Sequence, residues 1–220
     1  MSPMPPKMCV ACDTVALRCL PGRELEVLLV ERRHDPFQGC WALPGGFVEE
    51  NEDLPAAAAR ELEEETGLRP VVLEEFGAWG MPGRDPRGRT VSIVYLGVAR
   101  PGADSVRGMD DAASARWHPL ANLPPLAFDH AEIVPSALRQ VRLRCMTTHL
   151  AFAFLGEVFQ GCDLAHVLSA LGAGTAHTAA DRLLAVADVE PTAEGSYRLT
   201  KADYNAFLGE PVFLFAVTAD

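Results

Sequence analysis

The sequence has little positive charge: its 220 residues include 19 Lys and Arg against 30 Asp and Glu, which gives a formal net charge of −11. Proteins that bind nucleic acids or anionic membranes nonspecifically use clustered Lys and Arg. We therefore expect neither nucleic acid nor a membrane as a partner. A protein of this charge that acts on phosphates needs a metal ion or a local group of arginines.

Long hydrophobic runs are also missing. No apolar stretch reaches the roughly 18 residues of a membrane-spanning helix. The first residues, MSPMPPKM, lack the basic and apolar regions of a signal peptide. These features predict a cytoplasmic location. With 49% hydrophobic and 22% charged residues, the chain is long enough for one large or two small globular domains.

Cysteine is too sparse for a disulfide scaffold, because the six cysteines lie far apart at positions 9, 12, 19, 40, 145 and 162. We expect reduced thiols. Cys9-x-x-Cys12 has the spacing of half a zinc site, but Cys19 and Cys40 form no second pair. The alternative, which we favour, is a strand from Cys9 to Leu20 in which cysteine serves as a small hydrophobe.

Hydrophobic periodicity predicts an α+β domain with a mixed sheet flanked by helices, ending near residue 145. The predicted strands are 9–20, 26–32, 69–80, 90–100 and a short one at 116–118. One helix is predicted at 54–67, with Pro55 in its first turn and Gly67 after its last residue. A second is predicted at 130–144, with an apolar side made of Ile133, Leu138, Val141 and Leu143.

Residues 146–220 differ in character, with 3 Lys or Arg against 9 Asp or Glu, a difference of −6. The pattern predicts short helices at 165–174 and 178–189, followed by mixed strand-like and helical stretches at 196–217. We expect this segment to form a small second α/β domain. Its many apolar residues, such as Phe152, Phe154, Phe213 and Phe215, indicate that it buries a surface.

A dense acidic run, ARELEEETGL at 59–68, lies at the end of the first predicted helix. Negative charge is unfavourable there, and like charges three or four residues apart repel each other. Glu61, Glu64 and Glu65 have this spacing, which places them on one helix face. A hard divalent cation such as Mg²⁺ takes several oxygen ligands and would neutralise them. The alternative is a solvated acidic face, the usual fate of a charge run.

The residues before the run favour the cation. Glu52 is placed to pair with Arg60, whose bidentate hydrogen bonds would hold the loop and the helix in register. Gly45 and Gly46 let backbone carbonyls turn towards an ion, because glycine has no Cβ.

Together these residues form a known pattern. The specified positions are Gly46, Glu52, Arg60, Glu61, Leu62, Glu64, Glu65, Gly67 and Leu68. They match the Nudix box in full, so the chain resembles a Nudix hydrolase. The resemblance implies hydrolysis of a nucleoside diphosphate linked to another moiety, with Mg²⁺ or Mn²⁺ bound.

The resemblance also implies roles for individual residues. Glu64 and Glu65 match the main metal ligands, the Gly45 carbonyl adds another, and Glu61 serves as a ligand or as the general base. Arg60 and Glu52 complete the catalytic set, with Glu52 as a supporting residue or an additional ligand. Some members take the base from a later loop, where Asp110 and Asp111 are candidates here. Those two aspartates fit a simple loop turn equally well.

The flanking stretches RRHDPFQGCWALPGGFVEENEDL, GRDPRGRTVSIVYLGV and LPPLAFDH resemble the branch of bacterial ADP-ribose pyrophosphatases and Nudix-type regulators of NAD metabolism. The expected substrate is ADP-ribose or a related nucleotide sugar. The predicted substrate-binding residues are Arg32, Arg33, Arg84, Arg87 and Arg89. Each of them fits a surface ion pair equally well.

Other side chains have two interpretations each. Phe37, Trp41 and Trp79 suit stacking on a base but fit a core better. His130, next to Asp129, either reaches the site or is structural, and the structural role is the commoner one.

In the regulators of this branch, a C-terminal winged helix binds DNA. Residues 149–217 are similar to that layout in spacing, but HTAADRLLAV offers a recognition helix one Arg and one Asp. We therefore favour an enzyme whose acidic tail packs or forms a dimer. The alternatives are an ADP-ribose-sensing transcriptional regulator with no or weak hydrolysis and an inactive scaffold. A homodimer is expected by analogy.

Overall fold

The computed structural model describes residues 7–70, 72–102, 106–108, 112–187, 189–192 and 195–199. The first elements are β1 (Cys9–Cys19), β2 (Leu25–Arg32), β3 (Trp41–Ala42), β4 (Gly45–Phe47), α1 (Leu54–Thr66), β5 (Val72–Trp79), β6 (Thr90–Val98), β7 (Ala112–Pro119) and α2 (His130–Thr147). They are followed by a 3₁₀ segment (His149–Phe154), β8 (Val158–Gln160), α3 (Gly161–Ala170), α4 (Ala176–Val186), β9 (Val189–Pro191) and β10 (Ser196–Leu199).

Strand β1 is the centre of a seven-stranded mixed sheet. It runs parallel to β6 along its length and antiparallel to β2 and β4, while β3 and β7 extend the sheet from β2, and β5 from β6. The predicted helix-flanked mixed sheet is confirmed. Cys12 is buried in β1 with its thiol donating to the Leu54 carbonyl at 3.5 Å, and burial raises its pKa to about 11. The strand interpretation of the Cys9–Cys12 segment is therefore confirmed.

One edge of β1 changes partner halfway along. Its first half pairs with β4, where Asp13 lies opposite Gly45, and its second half pairs with β2, where Leu17 lies opposite Val27. The change of partner opens the sheet next to Asp13. This opening places the Gly45–Phe47 strand between β1 and helix α1.

Helix α1 begins and ends as its sequence predicts. The Asp53 side chain accepts from the Leu54 N–H, and Gly67 ends the helix at φ +71° with its N–H donating to the Glu63 carbonyl. Ala57, Ala58 and Leu62 are buried. Because these apolar residues fix one face against the sheet, the acidic residues project from the remaining faces.

Helix α2 differs from its prediction at one position. Ile133 and Val141 are fully buried, as expected, but Leu143 is 63% exposed. Two helical residues span about 200°, so a side chain two positions after Val141 points away from the core. Leu143 was therefore wrongly assigned to the apolar side.

The C-terminal part contains both predicted helices with shifted ends, as α3 and α4, and a small antiparallel sheet in the order β8-β10-β9. The buried Phe152 and Phe154 join the hydrophobic cluster that also holds Leu17 of β1. The boundary predicted at residue 145 stays a prediction. Phe213, Phe215 and the two aspartates at 110 and 111 lie outside the described residues.

In the described part of the chain, no helix is long and apolar enough to cross a membrane.

The two sides of α2 predict different mutational costs. Ile133→Ala should lower the free energy of unfolding by about 2–5 kcal/mol, because it leaves a cavity in the core. Leu143→Ala, the matched control, should change it by less than about 0.5 kcal/mol. Urea unfolding followed by circular dichroism measures both values. Equal costs would contradict this packing of α2.

Candidate active site

A cavity of about 480 Å³ opens where β1 changes partner. Its walls come from β1, β2, the strand at Gly45–Phe47, helix α1, the loop at 84–87 and the start of α2. A volume of this size accommodates a nucleotide-sized molecule. Elements distant in sequence thus meet at one concave surface.

Helix α1 and the two glycines form the acidic end of the cavity, where Glu61 and Glu65 line the wall. The Gly45 N–H donates to Glu65 at 2.9 Å. A Cβ on Gly46 would lie 2.3 Å from a Glu61 carboxylate oxygen, and one on Gly45 would lie 2.2 Å from the Cys12 carbonyl. Backbone atoms leave no room for a Cβ at Gly45, whereas at Gly46 the end of the Glu61 side chain would have to move.

Burial and like charge act on the carboxylates of the acidic end. Together, burial and the Glu61 and Asp13 carboxylates raise the pKa of Glu65 to about 8, while the Gly45 N–H and Arg32 act to lower it. Burial also raises the pKa of Glu61, although Arg60 acts to lower it. A cation at this end would favour the ionised form of both carboxylates and so lower their pKa values.

Arg60 binds the other acidic residues of the pattern. Its guanidinium donates to Glu52 at 2.7 and 2.8 Å, and one nitrogen donates to both Glu61 and Glu64 at 2.9 Å. The predicted pairing of Arg60 with Glu52 is therefore present. Glu64 is exposed, and Glu52, Arg60 and Glu64 lie beside the cavity lining rather than in it.

The donor set suits a hard divalent cation, because every side-chain donor is a carboxylate and burial raises the pKa values of two of them, Glu61 and Glu65. Among the described residues, no three His, Cys, Asp or Glu side chains are already grouped as a metal centre. Glu61 and Glu64 instead share Arg60. The residues therefore fit an ion once these carboxylates leave the arginine.

Sequence reasoning missed Asp13, which lies buried at the base of the cavity. The Ser92 hydroxyl donates to its carboxylate, and the Arg84 and His130 nitrogens lie 3.6 and 3.7 Å away. Burial alone would raise its pKa, but His130, Ser92 and Arg84 lower it. The available signal was a single acidic residue inside the otherwise apolar strand CVACDTVALRC.

Four of the five predicted arginines line the cavity: Arg32, Arg33, Arg84 and Arg87. Arg84 is buried and donates twice to Asp129, at 2.8 and 2.6 Å, so it ties the 84–87 loop to α2. Arg89 lies outside the lining and donates to the Thr90 carbonyl.

Arg33 donates to the Ala112 carbonyl at 2.9 Å, and the other two cavity arginines lie beside aromatic rings. Arg32 lies 4.8 Å from the Phe128 ring, and Arg87 lies 4.8 Å from Phe47 and 5.5 Å from Phe128. Phe37 meets Phe128 edge to face at 4.8 Å, and both have positive φ angles. This end of the cavity combines cationic and aromatic groups.

The two tryptophans lie elsewhere. Trp41 and Trp79 pack against the main hydrophobic cluster, as the core interpretation expected. His130 does reach the cavity, and it also bonds the backbone of Leu43 at 2.9 Å. His130 therefore both reaches the site and has a structural role.

A model of the NUDIX domain family matches residues 13–137, more than half of the chain. The chain belongs to the Nudix family. An ADP-ribose pyrophosphatase of Methanocaldococcus jannaschii is 43% identical over 57% of this chain and 73% of its own length. The ADPR responsive transcriptional repressor NtrR of Acinetobacter baylyi is 31% identical over 66% of this chain and 59% of its own length.

The likeness extends past the Nudix domain. The crystal structure of Shewanella oneidensis NrtR in complex with a 27mer DNA matches with a TM-score of 0.77 at 26% identity, covering 93% of this chain and 97% of that chain. The predicted fold, a Nudix sheet followed by a small C-terminal part, is thereby confirmed.

Glu65 gives a pH prediction for the metal-free protein. Its pKa is about 8 when folded and near 4.5 in its ordinary state, so the folded protein holds a proton that the unfolded chain releases. The stabilisation is complete at low pH and is lost as pH rises to about 8. The stability difference between the native protein and Glu65→Gln should therefore change across this window. Urea unfolding with a chelator measures it, and a difference independent of pH would contradict the raised pKa.

Proposed function

We propose that this Nudix protein is a metal-dependent pyrophosphohydrolase that cleaves a nucleoside diphosphate linked to another moiety, with ADP-ribose or a related nucleotide sugar as substrate. The observation that carries the proposal is the division of the cavity. Glu61 and Glu65 place two carboxylates at one end, while Arg32, Arg87 and Phe128 form another part of the same lining. A pyrophosphate joined to a nucleoside needs both kinds of surface.

Nudix hydrolases generally use divalent metal ions. Here Glu61, Glu64, Glu65 and the Gly45 carbonyl would hold Mg²⁺ or Mn²⁺. When bound, such an ion supplies Lewis-acid stabilisation of phosphoryl oxygens and lowers the pKa of a coordinated water.

The chain's own residues would divide the other tasks. Arg60, held by Glu52 at 2.7 Å, orients the carboxylates of α1. Glu61 would serve either as a ligand of the divalent ion or, if it stays outside the coordination shell, as the general base. Arg32, Arg33 and Arg87 provide the positive charge for an anionic substrate.

The relatives support the choice of substrate. The Methanocaldococcus jannaschii protein with 43% identity is an ADP-ribose pyrophosphatase, and the matched segment covers most of its length. The Acinetobacter baylyi repressor is described as ADPR responsive. ADP-ribose is thus named for both an enzyme and a regulator that resemble this chain.

A second candidate function is a DNA-binding regulator, and the whole-chain likeness to the DNA-bound Shewanella oneidensis protein favours it. The charge of α4 opposes it. The exposed side of that helix carries His177, Asp181 and Arg182, so its single guanidinium is offset by one carboxylate. Phosphate contacts require a surplus of cations. We therefore place DNA binding second, while homodimer formation and a cytoplasmic location stay predictions.

Hydrolysis of a substrate panel tests the enzymatic proposal. The nucleotide products formed from ADP-ribose, NADH, diadenosine polyphosphates, sugar nucleotides and nucleoside triphosphates are separated by ion-exchange chromatography and quantified with Mg²⁺ or Mn²⁺ present. ADP-ribose or a nucleotide sugar should give the highest kcat/KM. Glu64→Gln and Glu65→Gln should lower kcat by about 100-fold or more, because even supporting residues of a metal site cost 10–100-fold.

Glu63→Gln is the matched control for these variants. Glu63 lies on the same helix but pairs with Arg69 at the surface, so its loss should leave kcat unchanged. Absence of turnover by the native protein, together with tight and sequence-specific DNA binding in fluorescence anisotropy, would refute the enzyme and support the regulator.

A further inference from the structure

His130, the first residue of α2, is bonded to a segment 87 positions earlier in the chain. Its Nδ1 accepts the Leu43 N–H at 2.9 Å, and the side chain is almost completely buried. A nitrogen that accepts a hydrogen bond carries no proton, so the ring is neutral with its hydrogen on Nε2. That hydrogen faces Asp13, whose carboxylate oxygen lies 3.7 Å away.

The segment from Leu43 to Gly45 is held at each residue by a different partner. The Leu43 N–H donates to His130, the Pro44 carbonyl accepts from the Thr14 N–H at 2.8 Å, and the Gly45 N–H donates to Glu65. Proline itself has no N–H to contribute. The Leu43 N–H is therefore the last backbone donor before Gly45, and the His130 imidazole accepts its hydrogen bond.

The imidazole is itself fixed in place. Its ring lies 5.3 Å from the Phe128 ring. The residue before it, Asp129, is bound twice by Arg84, which also approaches Asp13 at 3.6 Å. Three elements, β1, the 84–87 loop and α2, therefore set the position of the Nδ1 acceptor. Because the imidazole is constrained in this way, its hydrogen bond also fixes the position of the Leu43 N–H.

Loss of the acceptor would leave the buried Leu43 N–H without a partner in this arrangement. A buried unsatisfied donor is costly, so the segment would shift towards another partner. Pro44 alone separates Leu43 from Gly45, so a shift of Leu43 would be passed on to Gly45. Such a shift would alter the distance from Gly45 to Glu65.

We propose that His130 is a positioning residue for the acidic end of the cavity: by accepting the Leu43 N–H, it fixes Gly45 against Glu65 and thereby sets the affinity for the divalent cation. The inference rests on the proposed function in so far as Gly45 and Glu65 hold that cation. It assigns no proton transfer to the imidazole.

Three substitutions at this position separate positioning from other roles. Asparagine places its carbonyl oxygen close to the position of Nδ1, so His130→Asn keeps an acceptor for Leu43. Glutamine extends towards the position of Nε2. In His130→Gln the side-chain amide would therefore face Asp13, and the Leu43 N–H would lose its acceptor. His130→Ala removes both groups.

Binding of Mn²⁺ to the protein without substrate, followed by electron paramagnetic resonance, is the first readout. His130→Ala and His130→Gln should weaken the affinity by about 10–100-fold, the usual cost of losing a residue that supports a metal site, whereas His130→Asn should stay close to native. His166→Ala is the control, because His166 lies on α3 and bonds the Arg23 carbonyl. The Mn²⁺ affinity of this variant should equal that of the native protein.

Steady-state kinetics and thermal unfolding of the same proteins complete the test. Equal losses of kcat in all three variants with unchanged Mn²⁺ affinity would overturn positioning and indicate a catalytic group. If the His130 variants melt at lower temperatures but bind Mn²⁺ with native affinity, the positioning role is overturned and His130 has a purely structural role. If the native protein binds Mn²⁺ but hydrolyses nothing, the proposed function fails, while the order of Mn²⁺ affinities still decides the role of His130.

Discussion

The contact between the Gly45 N–H and the Glu65 carboxylate joins the sheet to helix α1, and the rest of the site depends on it. It forms where β1 leaves β4 and takes β2 as its partner. Gly45 also lies so close to β1 that a Cβ there would be 2.2 Å from the Cys12 carbonyl. A carboxylate is thereby held away from water next to others of the same sign, which raises its pKa to about 8. The same geometry makes the acidic end a poor place for anions and a good one for a hard cation.

Charge around the cavity is divided between two kinds of arginine. Arg60 and Arg84 are bound by carboxylates, the first by Glu52 and the second by Asp129, and they connect elements of the fold. Arg32 and Arg87 instead lie over the Phe128 ring; Arg32 also donates to the Pro36 carbonyl at 2.8 Å, and Arg87 pairs with Asp85 of its own loop at 2.7 Å. An acidic chain thus concentrates its cationic groups at one surface without a net positive charge.

Local signals explain what the sequence could predict. Helix α1, its caps and the one-sided carboxylates follow from the spacing of residues 52–68, and the Arg60–Glu52 pair follows from the same short range. The contacts of Asp13 could not be predicted this way, because Ser92 and His130 reach it through strand pairing and helix packing. Arg84 illustrates the same limit, since its partner Asp129 lies 45 positions later. Leu143 was misassigned because an apolar residue does not by itself define a buried helix face.

The most direct test of the account is anomalous diffraction from crystals soaked with Mn²⁺. The account predicts a peak within coordination distance of Glu61, Glu65 and the Gly45 carbonyl, with Glu61 released from Arg60. A peak at any other place in the chain, or none beside Glu65 at saturating Mn²⁺, would contradict the assignment of the acidic end of the cavity as the metal site.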